Sequence, residues 1–251
     1  MTATGSAELR DVYEDQYSAE GSDAARYGAW RALGAEGKAD HVAKLAAALP
    51  DRPRSVVEVG CGDGGVLDAL ASRGLADSFH GFEISERAVQ ITSGRPAIER
   101  VERFDGISLP AADAAYDLGV LSHVLEHVPD PVPLLRETAR ACRAVVVEVP
   151  LEDNLSASRP AAERGRRAIG HLHRFSRADV HRLASEAGLR VVRELADPLP
   201  LSVHLFWATG LAATARARGK AAARRALFTV APGAAERAFT VHYAALLVPR
   251  G

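Results

Sequence analysis

Long apolar runs are missing from this 251-residue chain: Arg, Lys, His and Asp interrupt every hydrophobic stretch short of the roughly 18 uninterrupted residues that a membrane-spanning helix needs. The opening segment, MTATGSAELRDVYEDQY, has polar and acidic residues where an export signal needs a basic stretch followed by an apolar one. The expectation is a cytoplasmic protein with no membrane partner. Cysteine is scarce as well. Cys61 and Cys142 supply neither a disulfide framework nor a metal-knuckle spacing, and both fall in segments that read as interior. An excess of either charge is also absent, with 31 Lys and Arg against 32 Asp and Glu and a formal net charge of -1. No global polybasic character therefore points to nucleic acid.

What remains is an ordinary globular composition, 47% hydrophobic and 25% charged, at a length that suits one α/β domain with additions. From Ser55 onward short apolar runs alternate with helical patterns, the signature of βα units in a mostly parallel sheet. Seven strands are predicted, over Ser55 to Val59, Phe79 to Glu83, Ile98 to Phe104, Ala115 to Ser122, Ala144 to Val149, Arg190 to Ala196 and Thr240 to Val248. Helices are predicted after Gly64 as far as Gly74, from Ser85, from Val132 to Cys142 and from Ser176, where Asp179 completes a capping-box pattern and Gly188 marks the C-terminal end. Residues 1–50 read as a helical lid or brace, with an apolar-periodic helix from Ala39 to Leu49 leading into the first strand, on a domain spanning 51–251, and about 199–239 as a helical insertion before the last strand.

The segment VVEVGCGDGGVL, Val56 to Leu67, is a β-branched strand running into a turn with Gly60, Gly62, Gly64 and Gly65. Strand, glycine turn and helix N-terminus form a nucleotide-type cradle, because glycine permits positive φ and the exposed N–H groups attract oxygen. Alone this is a weak signal, since dinucleotide sites share it. Glu58 shifts the reading: a carboxylate just before the turn repels a pyrophosphate and pairs well with an ammonium group. About 20 residues on, Glu83 closes the next strand, where a carboxylate accepts hydrogen bonds from ribose hydroxyls.

With these features the chain resembles the class I S-adenosylmethionine-dependent methyltransferases, particularly the branch acting on small molecules. The resemblance covers about Ser55 to Leu195. It rests on EVGCGDG at 58–64, the acidic strand end at Glu83, RFDGISLP at 103–110, YDLGVLSHVLEHVPDP at 116–131 and HLHRFSRADVHRLASEAGL at 171–189. It implies a Rossmann-like sheet with helices on both faces. It further implies that Glu58, Gly60, Cys61 and Gly62 hold the methionine end of S-adenosylmethionine and Glu83 the ribose. Asp105 and Gly106 would hold the adenine edge, Ile84 would pack on the ring, and Leu121, Ser122 and His123 would line the other side.

Methyl transfer from a sulfonium is an in-line displacement, so most of its rate comes from holding nucleophile and methyl group in attack geometry. A positioned histidine base adds roughly a hundred- to ten-thousand-fold. His123, His127, His171 and His173 are the candidates, because they fall in the two motifs expected at the cofactor edge of the sheet. The run His123-x-x-Glu126-His127 with a distant His171 is also similar to the metal-holding arrangement of RNA 3′-terminal ribose methyltransferases, departing from it with His in place of the first Glu. The leading reading assigns no metal. It is an O- or N-methyltransferase for a small metabolite; the alternatives are a metal-assisted ribose or diol methyltransferase acting on RNA or a nucleoside, a non-catalytic S-adenosylmethionine-binding partner subunit, and a dinucleotide oxidoreductase. Tyr17, Tyr27 and Trp30 are the aromatics expected to close over the substrate. The basic run from Arg216 to Arg225 reads as a solvated helix face or homodimer contact, with Phe206, Trp207, Leu211 and Leu227 packing on the sheet edge.

Overall fold

The computed structural model describes residues 14, 17, 22–206 and 208–250. Tyr13 and Trp207, and the side chain of Tyr27, lie outside the described residues. The chain runs α1 (Ser22–Ala46), β1 (Ser55–Val59), α2 (Gly65–Ser72), β2 (Ser78–Glu83), α3 (Glu86–Ser93), β3 (Arg100–Arg103), β4 (Tyr116–Ser122), α4 (Pro131–Ala141) and β5 (Cys142–Leu151). It continues with α5 (Pro160–Ala168), α6 (Arg177–Glu186), β6 (Leu189–Pro198), α7 (Leu201–Phe206), α8 (Leu211–Val230), α9 (Pro232–Ala238) and β7 (Val241–Pro249). The seven strands form one sheet in the order β3-β2-β1-β4-β5-β7-β6. All neighbours are parallel except β7, which runs antiparallel to both β5 and β6.

Successive strand residues serve opposite faces, so both faces are buried and the strands read as continuous apolar runs. Val57, Val59, Val145, Val147, Ala245 and Leu247 belong to one core with α4 and α6. Val56, Leu118, Val120, Val146 and Leu246 belong to the other with α1 and α2. On α1 the residues Ala35, Ala39, Val42 and Leu45 recur at helical spacing and are all buried there. Among the described residues no helix is long and apolar enough to cross a membrane.

The expected fold class holds, with seven strands in a mostly parallel sheet. The structure departs from the expected elements in four places. The helix α1 begins at Ser22, far ahead of the Ala39 to Leu49 segment expected from apolar spacing alone. Strand β3 is only Arg100–Arg103, a short edge strand. The chain passes from α4 straight into β5 at Cys142, the residue expected to end the helix. Helix α5 was not expected because PAAERGRRA carries no apolar stripe, and none of its residues is buried. Three helices, α7, α8 and α9, lie between β6 and β7.

Candidate functional site

Strand order reverses direction between β1 and β4, and in an open α/β sheet ligands bind beyond the carboxyl ends of the strands at that switch point. A cavity of about 870 Å³ opens there. Its donor-side wall is the turn after β1. Gly60, Gly62 and Gly64 take positive φ of 75°, 55° and 74°. A Cβ on Gly62 would sit 2.5 Å from the Tyr17 hydroxyl, and one on Gly64 would meet Ile98 and Thr92 at 2.8 Å. Positive φ favours glycine at these two points, and a Cβ would also have to displace the side chains around it.

Glu58, from the end of β1, is buried, lines this cavity, and has one carboxylate oxygen with no hydrogen-bond partner among the described residues. Burial pushes its carboxyl well above the usual range, against the pull of Lys38. Glu83, at the end of β2, is differently placed. It accepts from Gly62 N–H at 2.8 Å, Ile84 N–H at 2.8 Å and Ser85 N–H at 3.1 Å. A carboxylate has about four acceptor positions, so Glu83 braces the glycine turn and keeps roughly one for a ligand. Asp105 Oδ1 closes its own turn on Ile107 and Ser108 N–H. Cys61, Ile84, Asp105, Gly106, Ser122 and His123 all face the cavity. Leu121 does not: its place on β4 turns its side chain into the core beside Val57 and Leu125.

The helix α1 covers the cavity with Trp30, Arg31 and Lys38, and Tyr17 also reaches it. Arg31 pairs with Asp63 at 2.7 Å and lies over the Tyr17 ring at 5.0 Å. Trp30 meets Phe206 of α7 edge to face, so the N-terminal helix and the insertion touch above the site.

The opposite end of the cavity is a histidine and glutamate cluster. Because β7 is antiparallel, its N-terminal end lies at the carboxyl edge of the parallel strands and delivers His242 opposite Pro150. Glu148, fully buried on β5, has His41 Nδ1 at 3.3 Å, His242 Nδ1 at 3.5 Å and His123 Nε2 at 3.6 Å around it. His123 takes a left-handed backbone, φ 57°, with its N–H held by the Glu148 carbonyl at 2.8 Å. That turn aims its other ring nitrogen at Glu126 Oε1, 3.1 Å away. Burial would raise Glu126 and Glu148, but the imidazoles beside them outweigh it; Glu126 falls to about 2 and Glu148 well below the usual range. Burial and Lys38 oppose a proton on His123, yet Glu126 and Glu148 raise it. His127 goes the other way: burial lowers it to about 4, leaving it neutral at pH 7.

His127 and His171 face the cavity with their rings 4.7 Å apart. His173 is turned away: its Nε2 donates to the Val128 carbonyl at 2.8 Å and its ring stacks on Phe175. Among the described residues two groups offer ligand atoms all within 4.8 Å of one another, His123 with Glu148 and His242, and Glu126 with His127 and His171. The sequence reading missed Lys38, His41, Glu148, Glu152 and His242. A signal existed for two of them. Glu148 in VVVEVPL and His242 in TVHYAALLV are polar residues inside runs that read as buried strands, the same anomaly that singled out Glu58.

A family model described as a methyltransferase domain matches residues 29–194. Among curated proteins, the chain is 39% identical over 90 residues to an uncharacterized methyltransferase of Mycobacterium sp. (strain JLS), covering 36% of this chain and 35% of that one. It is 30% identical over 132 residues to ajmaline N-methyltransferase of Rauvolfia serpentina, covering 47% and 45%. The matched stretches thus span a third to under half of these relatives. Among solved structures, geranyl diphosphate C-methyltransferase of Streptomyces coelicolor A3(2), in complex with Mg2+, geranyl diphosphate and S-adenosyl-L-homocysteine, superposes with a TM-score of 0.61 at 17% identity. That superposition covers 87% of this chain and 78% of the other, and it establishes the shared fold.

Proposed function

Since the chain belongs to the methyltransferase-domain family, we propose that it transfers the methyl group of S-adenosylmethionine to an oxygen or nitrogen of a small molecule. The observation that carries this reading is the buried, half-unpartnered carboxylate of Glu58 on the wall of a cavity whose other wall is the glycine turn. An anion in that position calls for a cationic ligand group, and the ammonium of a methionine moiety is one. In this reading Gly60, Cys61 and Gly62 flank that moiety, Glu83 offers its remaining acceptor position to the ribose, and Asp105 and Gly106 meet the adenine edge over Ile84. The bound donor supplies an electrophilic methyl group; the chain supplies orientation and the exclusion of water.

Acceptor selection falls to the far half of the cavity. Leu134, Val128, Ile169 and Val203 make it apolar, and the His123, His127, His171 and His242 rings give it polar edges. Such a chamber suits a compact organic molecule. His123, held between the Glu126 and Glu148 carboxylates, orients the rim. The residues before β1 and the insertion before β7 serve as the cover, through Tyr17, Trp30 and Val203. The test is transfer of labelled methyl into whole-cell extract that is then fractionated into small molecules, protein and RNA. Label in an organic-soluble or polar metabolite fraction supports the reading, and label confined to protein or RNA overturns the choice of acceptor.

A further inference from the structure

We propose that Glu126, His127 and His171 form a binding site for a divalent transition-metal ion, opening on the acceptor half of the cavity. Three independent features support it. The ligand atoms already converge, all within 4.8 Å of one another, and metal–ligand bonds of about 2.0–2.2 Å ask for a contraction of roughly an ångström. Glu126 is completely buried; His123 Nδ1 at 3.1 Å faces Oε1 and offsets part of the burial cost, and Oε2 has no hydrogen-bond partner among the described residues. A cation at Oε2 would complete the surroundings of this carboxylate.

The third feature is the support behind the two imidazoles. His171 directs Nδ1 to Glu152 Oε2 at 2.8 Å, and His127 directs Nδ1 to the Gly170 carbonyl at 3.2 Å. A ring that donates from Nδ1 to an oxygen carries its lone pair on Nε2, and such donation to a carboxylate or carbonyl is the usual orientation of metal-binding histidines. The supporting loop is fixed to the same turn that bears Glu126. Leu172 and His173 N–H both reach the Glu126 carbonyl, at 2.7 and 3.2 Å, and His173 Nε2 reaches Val128. This gives His173 a structural purpose, pinning the loop that presents His171.

Two imidazoles and one carboxylate suit zinc, manganese or cobalt; magnesium and calcium prefer oxygen-only sets. Glu126 and Glu152 together balance the two positive charges of the ion. The competing group at Glu148 is a poorer site, because both nitrogens of His123 already face carboxylates, Glu126 on one side and Glu148 on the other. His127 and His171 both line the cavity, so the coordination positions left over would point into it and accept water or an acceptor oxygen. That last role rests on the methyl-transfer reading; the ion site itself does not.

The experiment is titration of the chelator-stripped full chain with Co2+, followed by visible absorption and calorimetry. The expected result is one Co2+ per chain with the ligand-field bands of a nitrogen-containing site. Binding should weaken by more than about tenfold in His171→Ala and by about ten- to a hundredfold in Glu152→Gln, which removes the negative charge behind the His171 ring while leaving an oxygen that can accept from it. His171 sits on a loop, so its removal spares the fold, and a thermal melt of each variant verifies this. His80→Ala, on the far edge of the sheet, should bind as the parent does. The proposal is overturned if no Co2+ binds, if His171→Ala binds as tightly as the parent, or if His242→Ala abolishes binding while His171→Ala does not. S-adenosylmethionine binding measured in chelator reports separately on the methyl-transfer reading.

Discussion

Glu58 and His41 are both buried ionisable groups, and the structure treats them in opposite ways. Glu58 is held without a full set of partners, so its charge becomes favourable only against a bound cation. Replacing it with Gln removes a charge-assisted contact worth about 1.5–3 kcal/mol, so S-adenosylmethionine affinity should fall roughly ten- to a hundredfold by calorimetry. Unliganded stability should hold or rise, because the uncompensated buried acid is gone. His41 lies between Glu148 at 3.3 Å and Asp197 at 3.7 Å. Burial opposes its proton, but Asp197 and Glu148 raise it to about 9. A folded value above the ordinary 6.5 stabilises the fold fully below about pH 6.5, and that contribution is lost as pH rises through about 9. Thermal melts from pH 6 to pH 10 should therefore fall, and His41→Gln should flatten the fall.

At the scale of elements, the glycine turn and the capped helices make separable predictions. Gly64→Ala puts a Cβ 2.8 Å from Ile98 and Thr92 at φ 74°, so it should destabilise by about 1–3 kcal/mol and weaken donor binding together, read by melts and calorimetry. Ser176 opens α6 with a full capping box, its side chain and that of Asp179 exchanging bonds with each other's backbone N–H. Ser176→Ala should cost about 1 kcal/mol with donor affinity unchanged. Both features were legible in the sequence because turn and cap chemistry are local. So were the seven strands, whose apolar runs have turn residues at their ends. Helix α5 was not legible, because none of its residues is buried and no apolar stripe marks it. The length of α1 was also hidden, since the turns before Ala35 carry mixed residues that pack on the insertion through Trp30.

For the whole molecule, the glycine-turn half of the cavity follows from order along the chain: turn after β1, acid after β2, loop after β3 and histidine after β4. Sequence reading reaches these residues because parallel βα units place successive loops on one edge. The histidine and glutamate half does not follow from order. Glu148, His242 and His41 meet only because β7 inserts antiparallel beside β5 and α1 packs across the sheet, and neither fact is visible in local patterning. Leu121 and His173 show the converse limit. Each lies in the right motif, but strand alternation and a backbone carbonyl claim their side chains.

The most direct test of the account is calorimetric titration of the full chain with S-adenosylmethionine, S-adenosylhomocysteine and NAD. Saturable one-to-one binding of the first two, with no binding of NAD, is the predicted result. Binding of NAD without binding of either sulfur compound would contradict the assignment of the Glu58 turn as a methyl-donor site.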